Sequence, residues 1–127
     1  MHISLSCPSS GCDPWDQPAK VIATTEEGTF EIARYITPYG IACGPWAIDI
    51  ADFKSLLTGD VDFQSYIQVW GPSGWLANIE LELIKGDDAT PYYKMTPLWQ
   101  LDYQVYGDPD ILYDLPPYDI DIDANTE

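Results

Sequence analysis

Ten residues near the start of the chain, CPSSGCDPWD from Cys7 to Asp16, bring together residue types that do chemistry: two thiols, two carboxylates and an indole. Two cysteines with four residues between them, in a Pro/Ser/Gly turn, suit a short staple. A staple of that kind holds a loop in one path without support from a regular element. Asp16, beside Trp15 on such a loop, is a candidate catalytic carboxylate; the alternative is one more surface acid on a very acidic chain. Asp13, directly after Cys12, is of the type that accepts hydrogen bonds from turn amides. A zinc reading of the pair fails, because no second Cys/His pair accompanies it and His2 is the one histidine. The same shortage removes Ser/His/Asp catalysis, and it removes a copper site, for which only His2, Met1 and Met95 are on offer. Three cysteines allow one intramolecular pair; Cys7 and Cys12 are expected to form it, leaving Cys43 in the IACGPW turn over. The DIDID run from Asp119 to Asp123 alternates carboxylates as a calcium loop does, but it lacks the glycine and the closing Glu, so solvated acids are expected there. No metal and no cofactor is expected.

The chain that must position this loop has 127 residues, one domain's worth. A domain of that size buries roughly two-thirds of the surface its unfolded chain exposes. Twenty-one Asp and Glu against five Lys and Arg give a net charge of −16, a field that repels phosphate backbones and anionic lipid. Nucleic acid and membrane are therefore not expected as partners. No segment approaches the roughly 20 apolar residues of a membrane span, and MHISLSC has neither the basic start nor the apolar stretch of a signal peptide. Five Trp and nine Tyr are many for this length; most are expected in the core, with amphipathic rings left to shape a sugar-binding face.

The periodicity that recurs is two. KVIATT, FEIARYI, WAIDIADF, DVDFQSYIQVW, WLANIELELIKG and YYKMTPLWQLDYQVY mix β-branched and aromatic residues in strand-length runs. Glu27-Gly28, Thr37-Pro38-Tyr39-Gly40, Gly44-Pro45, Thr58-Gly59-Asp60, Gly71-Pro72-Ser73-Gly74 and Gly86-Asp87-Asp88 punctuate them as turns. The pattern predicts an all-β sandwich of antiparallel sheets. One run, ADFKSLL, spaces Phe53, Leu56 and Leu57 helically before Gly59 and predicts a single helical turn. In IELELI the alternation turns Ile79, Leu81 and Leu83 to the core and Glu80 and Glu82 to water. From Gly107 the composition becomes Asp- and Pro-rich, which divides the chain into a domain over 1–106 and an acidic linker or tail over 107–127.

The succession CPSSGCDPWD, FEIARYITPYG, IDIADFKSLLTGDVDF and YIQVW, followed by GW and a strand ending at Lys85-Gly86, resembles the N-terminal domain of the peptide-N-glycosidase F family. The resemblance covers roughly Met1 to Tyr106. It implies a jelly-roll sandwich lacking its first strands, a Cys7–Cys12 disulfide and a secreted or periplasmic setting. It also implies an amidase that removes N-linked glycans by hydrolysing the glycosylated asparagine side-chain amide. On that footing Asp16 is the principal catalytic acid, and Trp15, Gln17, Gln68 and Trp70 are substrate-binding. Gln17 stands where the family has an Arg and Gln68 where it has a second carboxylate, and a third acid belongs to a second jelly-roll domain. The implied partners are an N-glycosylated protein or glycopeptide and that second domain. A non-catalytic glycan-binding or structural jelly-roll module is the other reading.

Overall fold

The computed structural model describes residues 1–86. The YYKMTPLWQLDYQVY run, the DIDID acids and the boundary at 106 lie outside the described residues.

Strand β1 is His2–Ser6, β2 Pro18–Thr25, β3 Gly28–Ile36, β4 Cys43–Ala47, β5 Asp62–Ile67 and β6 Leu76–Glu80. They pair antiparallel into two three-stranded sheets, one ordered β4-β1-β6 and the other β3-β2-β5. The period of two explains β2 directly: Ala19, Val21 and Ala23 are buried while Lys20, Ile22 and Thr24 alternate with them toward the other face. Glu26-Glu27 closes β2 onto β3, with the Glu27 N–H donating to the Thr25 hydroxyl at 3.1 Å. A bulge opposite Val21 and Ile22 gives β3 an extra residue, and both Ile32 and Ala33 are buried there.

The two sheets share one core. Met1 and Ile3 at the β1 end meet Val21, Ala23, Ile32 and Ala33 of the other sheet, with Phe30, Trp46 and Ile79 packed around them. The sandwich expected from the turn spacing is therefore present. The ADFKSLL turn is present too, as a 3₁₀ turn at Ala51–Phe53 on the way from β4 to β5. Ile48, Ile50, Phe53, Leu57 and Val61 of that connection lean on the core.

Three boundaries differ from the expectation. The WAIDIADF run is strand only as far as Ala47, because Phe53 reaches the core from the 3₁₀ turn and not from a strand. β5 stops at Ile67, so Gln68 to Trp70 leave the sheet. β6 stops at Glu80: Ile79 pairs with Ile3 and packs on the core, whereas Leu81 is exposed and Leu83 is 95% exposed. Beyond Glu80 there is no β1 left to pair with, since His2↔Glu80 is the last register position. Glu82 instead reaches back to His2, with Nε2 to Oε2 at 2.9 Å.

Gly44 marks where β4 presses on β1. A Cβ there would lie 2.7 Å from the Ile3 carbonyl oxygen and 2.9 Å from Ser4 Cα, and its φ is 93°. No side chain fits both constraints, so the register irregularity between Ile3 and Leu5 depends on glycine.

Candidate functional site

Three segments without regular structure meet where β2 begins: the loop from Cys7 to Gln17, the turn Thr37 to Gly40 that leaves β3, and the turn Trp70 to Gly74 that follows β5. The residue that joins them is Asp13, 1% exposed. One carboxylate oxygen accepts the Trp15 N–H at 2.9 Å and the other the Trp70 N–H at 3.4 Å. Its own N–H donates to the Gly74 carbonyl at 3.2 Å, and its carbonyl accepts the Gly40 N–H at 3.0 Å. Every polar group of Asp13 is thus paired within the protein, as burial of a carboxylate requires. The role expected for it, satisfying loop amides, is observed and extends to all three segments.

The staple expected between Cys7 and Cys12 is formed, with the two Cα atoms 4.4 Å apart. The Gly11 N–H donates to the Pro8 carbonyl at 2.9 Å inside the stapled turn, and Cys12 forms a bridge to Gly74. Cys43 keeps its thiol, half-buried, and burial pushes that thiol above its ordinary pKa. A thiol kept protonated is a poor nucleophile, and the role the cysteines show is the Cys7–Cys12 staple.

Above Asp13 the loops turn their side chains outward. Trp15, Asp16 and Tyr39 are exposed, and Trp70 is 73% exposed. Hydrogen bonding toward the Asp16 carboxylate, then the Asp16 charge, then slight desolvation hold the Tyr39 phenol above its ordinary value. Tyr39 joins the loop acid here although the sequence marked it only as part of a turn. An aromatic ring between Pro38 and Gly40 was the available signal. Strand periodicity says nothing about which way a turn residue points.

The expected site residues do not all share this surface. Gln17 is 2% exposed and continues inward the alternation Ala19, Val21, Ala23. Its Nε2 has no partner among the described residues. Only an uncharged side chain lies at such a position without a strong desolvation penalty. Gln68 is half-buried one residue beyond β5, its N–H donating to the Pro18 carbonyl at 3.1 Å. It therefore flanks the strand that begins two residues after Asp16. Trp15 and Trp70 are brought together through Asp13, which accepts both of their backbone N–H groups. Among the described residues no three of His, Cys, Asp and Glu are grouped to hold a metal ion. No helix among them is long and apolar enough to cross a membrane.

An antiparallel sandwich whose loops set one acid among exposed aromatic rings, over a disulfide and a buried aspartate, defines the class: a β-sandwich domain with a polar, aromatic-lined loop site. The comparison with family models is specific about which. Residues 18–83 match Peptide-N-glycosidase F, N terminal, and the chain belongs to that family. It is 37% identical over 101 residues to the peptide-N(4)-(N-acetyl-beta-D-glucosaminyl)asparagine amidase F of Elizabethkingia miricola, an alignment that takes in 74% of this chain and 27% of that protein. The chain thus matches about a quarter of the relative's length. No solved structure matches. The family match includes Tyr39, Gln68 and Trp70 and starts just after the Cys7–Gln17 loop.

Proposed function

We propose that this chain supplies the Asp16-bearing part of an amidase that acts on N-glycosylated proteins or glycopeptides in a secreted or periplasmic setting. In this reading Asp16 orients or activates water against the side-chain amide carbon of a glycosylated asparagine. The C–N bond breaks, the asparagine becomes aspartate, and the glycan leaves as its amine. Trp15 and Trp70 offer ring faces to the apolar side of a pyranose, and the Tyr39 hydroxyl steadies the acid. The observation that carries the reading is an exposed Asp16 on a loop fixed by the buried Asp13, beside the exposed Trp15, in a chain of this family. A carboxylate pinned in one direction is what a positioned base needs. The disulfide fits an oxidising compartment.

One base does not complete the reaction. Protonating the departing amine and stabilising the tetrahedral oxyanion need further groups, each typically worth about 3 kcal/mol. Gln68 and the buried Gln17 cannot supply a charge. We assign the missing groups to a second jelly-roll domain. The isolated chain is expected to bind a chitobiose-bearing glycopeptide through Trp15, Asp16 and Trp70 but not to release glycans from a denatured glycoprotein. Glycan release followed by mass spectrometry, scoring the Asn-to-Asp change, tests the second half. Release by the chain alone, abolished in Asp16→Asn, would make it a complete amidase. An NMR titration with the glycopeptide tests the first half, and shifts unchanged by Asp16→Ala and Trp70→Ala would sink the reading. The uncharged Gln68 favours a second reading, glycan binding without chemistry. Glycan release that appears on adding the second domain would exclude it.

A further inference from the structure

We propose that Thr37 is a positioning residue that holds Asp16 from beneath, one hydroxyl gripping the backbone on both sides of that acid. The Thr37 Oγ1 accepts the Gln17 N–H at 2.8 Å and donates to the Trp15 carbonyl at 3.4 Å. These two groups belong to the two peptide units that flank the Asp16 Cα. Fixing both planes fixes the direction in which the Asp16 side chain leaves the loop. A hydroxyl has one hydrogen to give and lone pairs to accept, so it performs both roles at once. The Thr37 N–H adds a third tie, to the Gln17 carbonyl at 2.9 Å.

Three further observations make this more than a chance contact. Thr37 is 2% exposed, so water does not compete for the hydroxyl. A β-branched side chain is stiff at χ1, which keeps the hydroxyl aimed. The same turn ties the site at two levels, Thr37 holding the Asp16 backbone and Gly40 the Asp13 carbonyl, and its Tyr39 phenol is held above its ordinary value by the Asp16 carboxylate. The inference rests on the proposed reading of Asp16 as the working acid, but its geometry is independent of any glycan.

Tyr39 is the reporter, because its titration senses Asp16. In a chain carrying ¹³C-labelled tyrosine, with the Tyr39 signal assigned through Tyr39→Phe, the phenol of Asp16→Asn gives the titration without a carboxylate neighbour. Thr37→Val keeps the shape and the stiffness and removes both hydroxyl bonds; its Tyr39 titration is expected to fall toward that of Asp16→Asn, with the Gln17 amide exchanging at least about tenfold faster. Thr37→Ser restores the hydroxyl and is expected to titrate as the unaltered protein. A Thr37→Val chain with an unchanged Tyr39 titration overturns the inference, and so does a Thr37→Ser chain whose titration falls as far as that of Thr37→Val. If Thr37→Val does not fold, Thr37→Ser decides: a Tyr39 titration matching the unaltered chain supports the hydroxyl's role, and one matching Asp16→Asn overturns it. None of these readouts uses a glycan, so a chain that binds no glycopeptide counts against the proposed function and not against this inference.

Discussion

The loops that meet at Asp13 and the outer strands β5 and β6 are built on opposite plans. The loops have no ladder, yet Asp13 and Thr37 lie inside and each bonds two or more neighbours. β5 and β6 have a regular ladder, to β2 and β1 respectively, yet their side chains stay largely open. Phe63, Tyr66 and Leu76 are exposed apolar residues on regular strands. Regular backbone geometry and a rigid surroundings are therefore separable. Where chemistry needs a fixed side chain, buried hydrogen bonds supply the rigidity, because each unmade one would leave an unsatisfied group in a dry place.

If that contrast is right, substitutions in the loops weigh far more than those on the edges. Asp13→Ala strands the Trp15 and Trp70 N–H groups and is expected to lower stability by about 3 kcal/mol, with Asp13→Asn about half of that because one acceptor oxygen remains. Urea denaturation measures it, and a loss under about 1 kcal/mol would mean the loops do not depend on that aspartate. Replacing Cys7 and Cys12 together by serine opens a loop of six residues and is expected to cost about 2 kcal/mol on the chain-entropy model. Comparing the oxidised chain with the double variant gives the number directly.

On the strands the effects shrink. Lys20 Nζ stands 5.8 Å from the centroid of the Tyr66 ring, across the β2–β5 pair. Tyr66→Ala is expected to cost about 0.5–1 kcal/mol, with the part due to the cation recovered in a double-mutant cycle with Lys20→Met. Leu83→Lys, on a side chain 95% exposed, is expected to stay within about 0.5 kcal/mol of the unaltered chain. A loss as large as that of Asp13→Ala would break the comparison, for it would show that the residues after β6 are covered in solution.

The architecture was legible in the residues to a large extent. Alternation in KVIATT and FEIARYI and the turn at Glu27-Gly28 set out the β2–β3 hairpin, and helical spacing in ADFKSLL marked the turn between β4 and β5. The same reasoning overran at Leu81 and Leu83, because a period of two reports that a strand has two faces and not that a partner strand exists to cover one of them. Gln17 shows the limit from the other side. Its neighbour Asp16 is exposed, and the alternation that begins with Gln17 turns its amide into the sandwich.

By itself the sequence determined the sheet-forming pattern, the staple between Cys7 and Cys12, the family and Asp16 as the acid to examine. The sheet pattern and the staple follow from local chemistry, since side-chain period, turn propensity and cysteine spacing act over a few residues; the family and Asp16 follow from the succession of motifs that resembles that family. Only the tertiary structure decided that Asp13 joins three loops and that Tyr39 faces Asp16 across more than twenty positions of chain. It also decided that Gln17 lies inside while Trp70 stands outside. Those contacts join residues distant in the chain through hydrogen bonds made by turns, and a turn's direction is fixed by what it packs and bonds against, not by the residues that compose it.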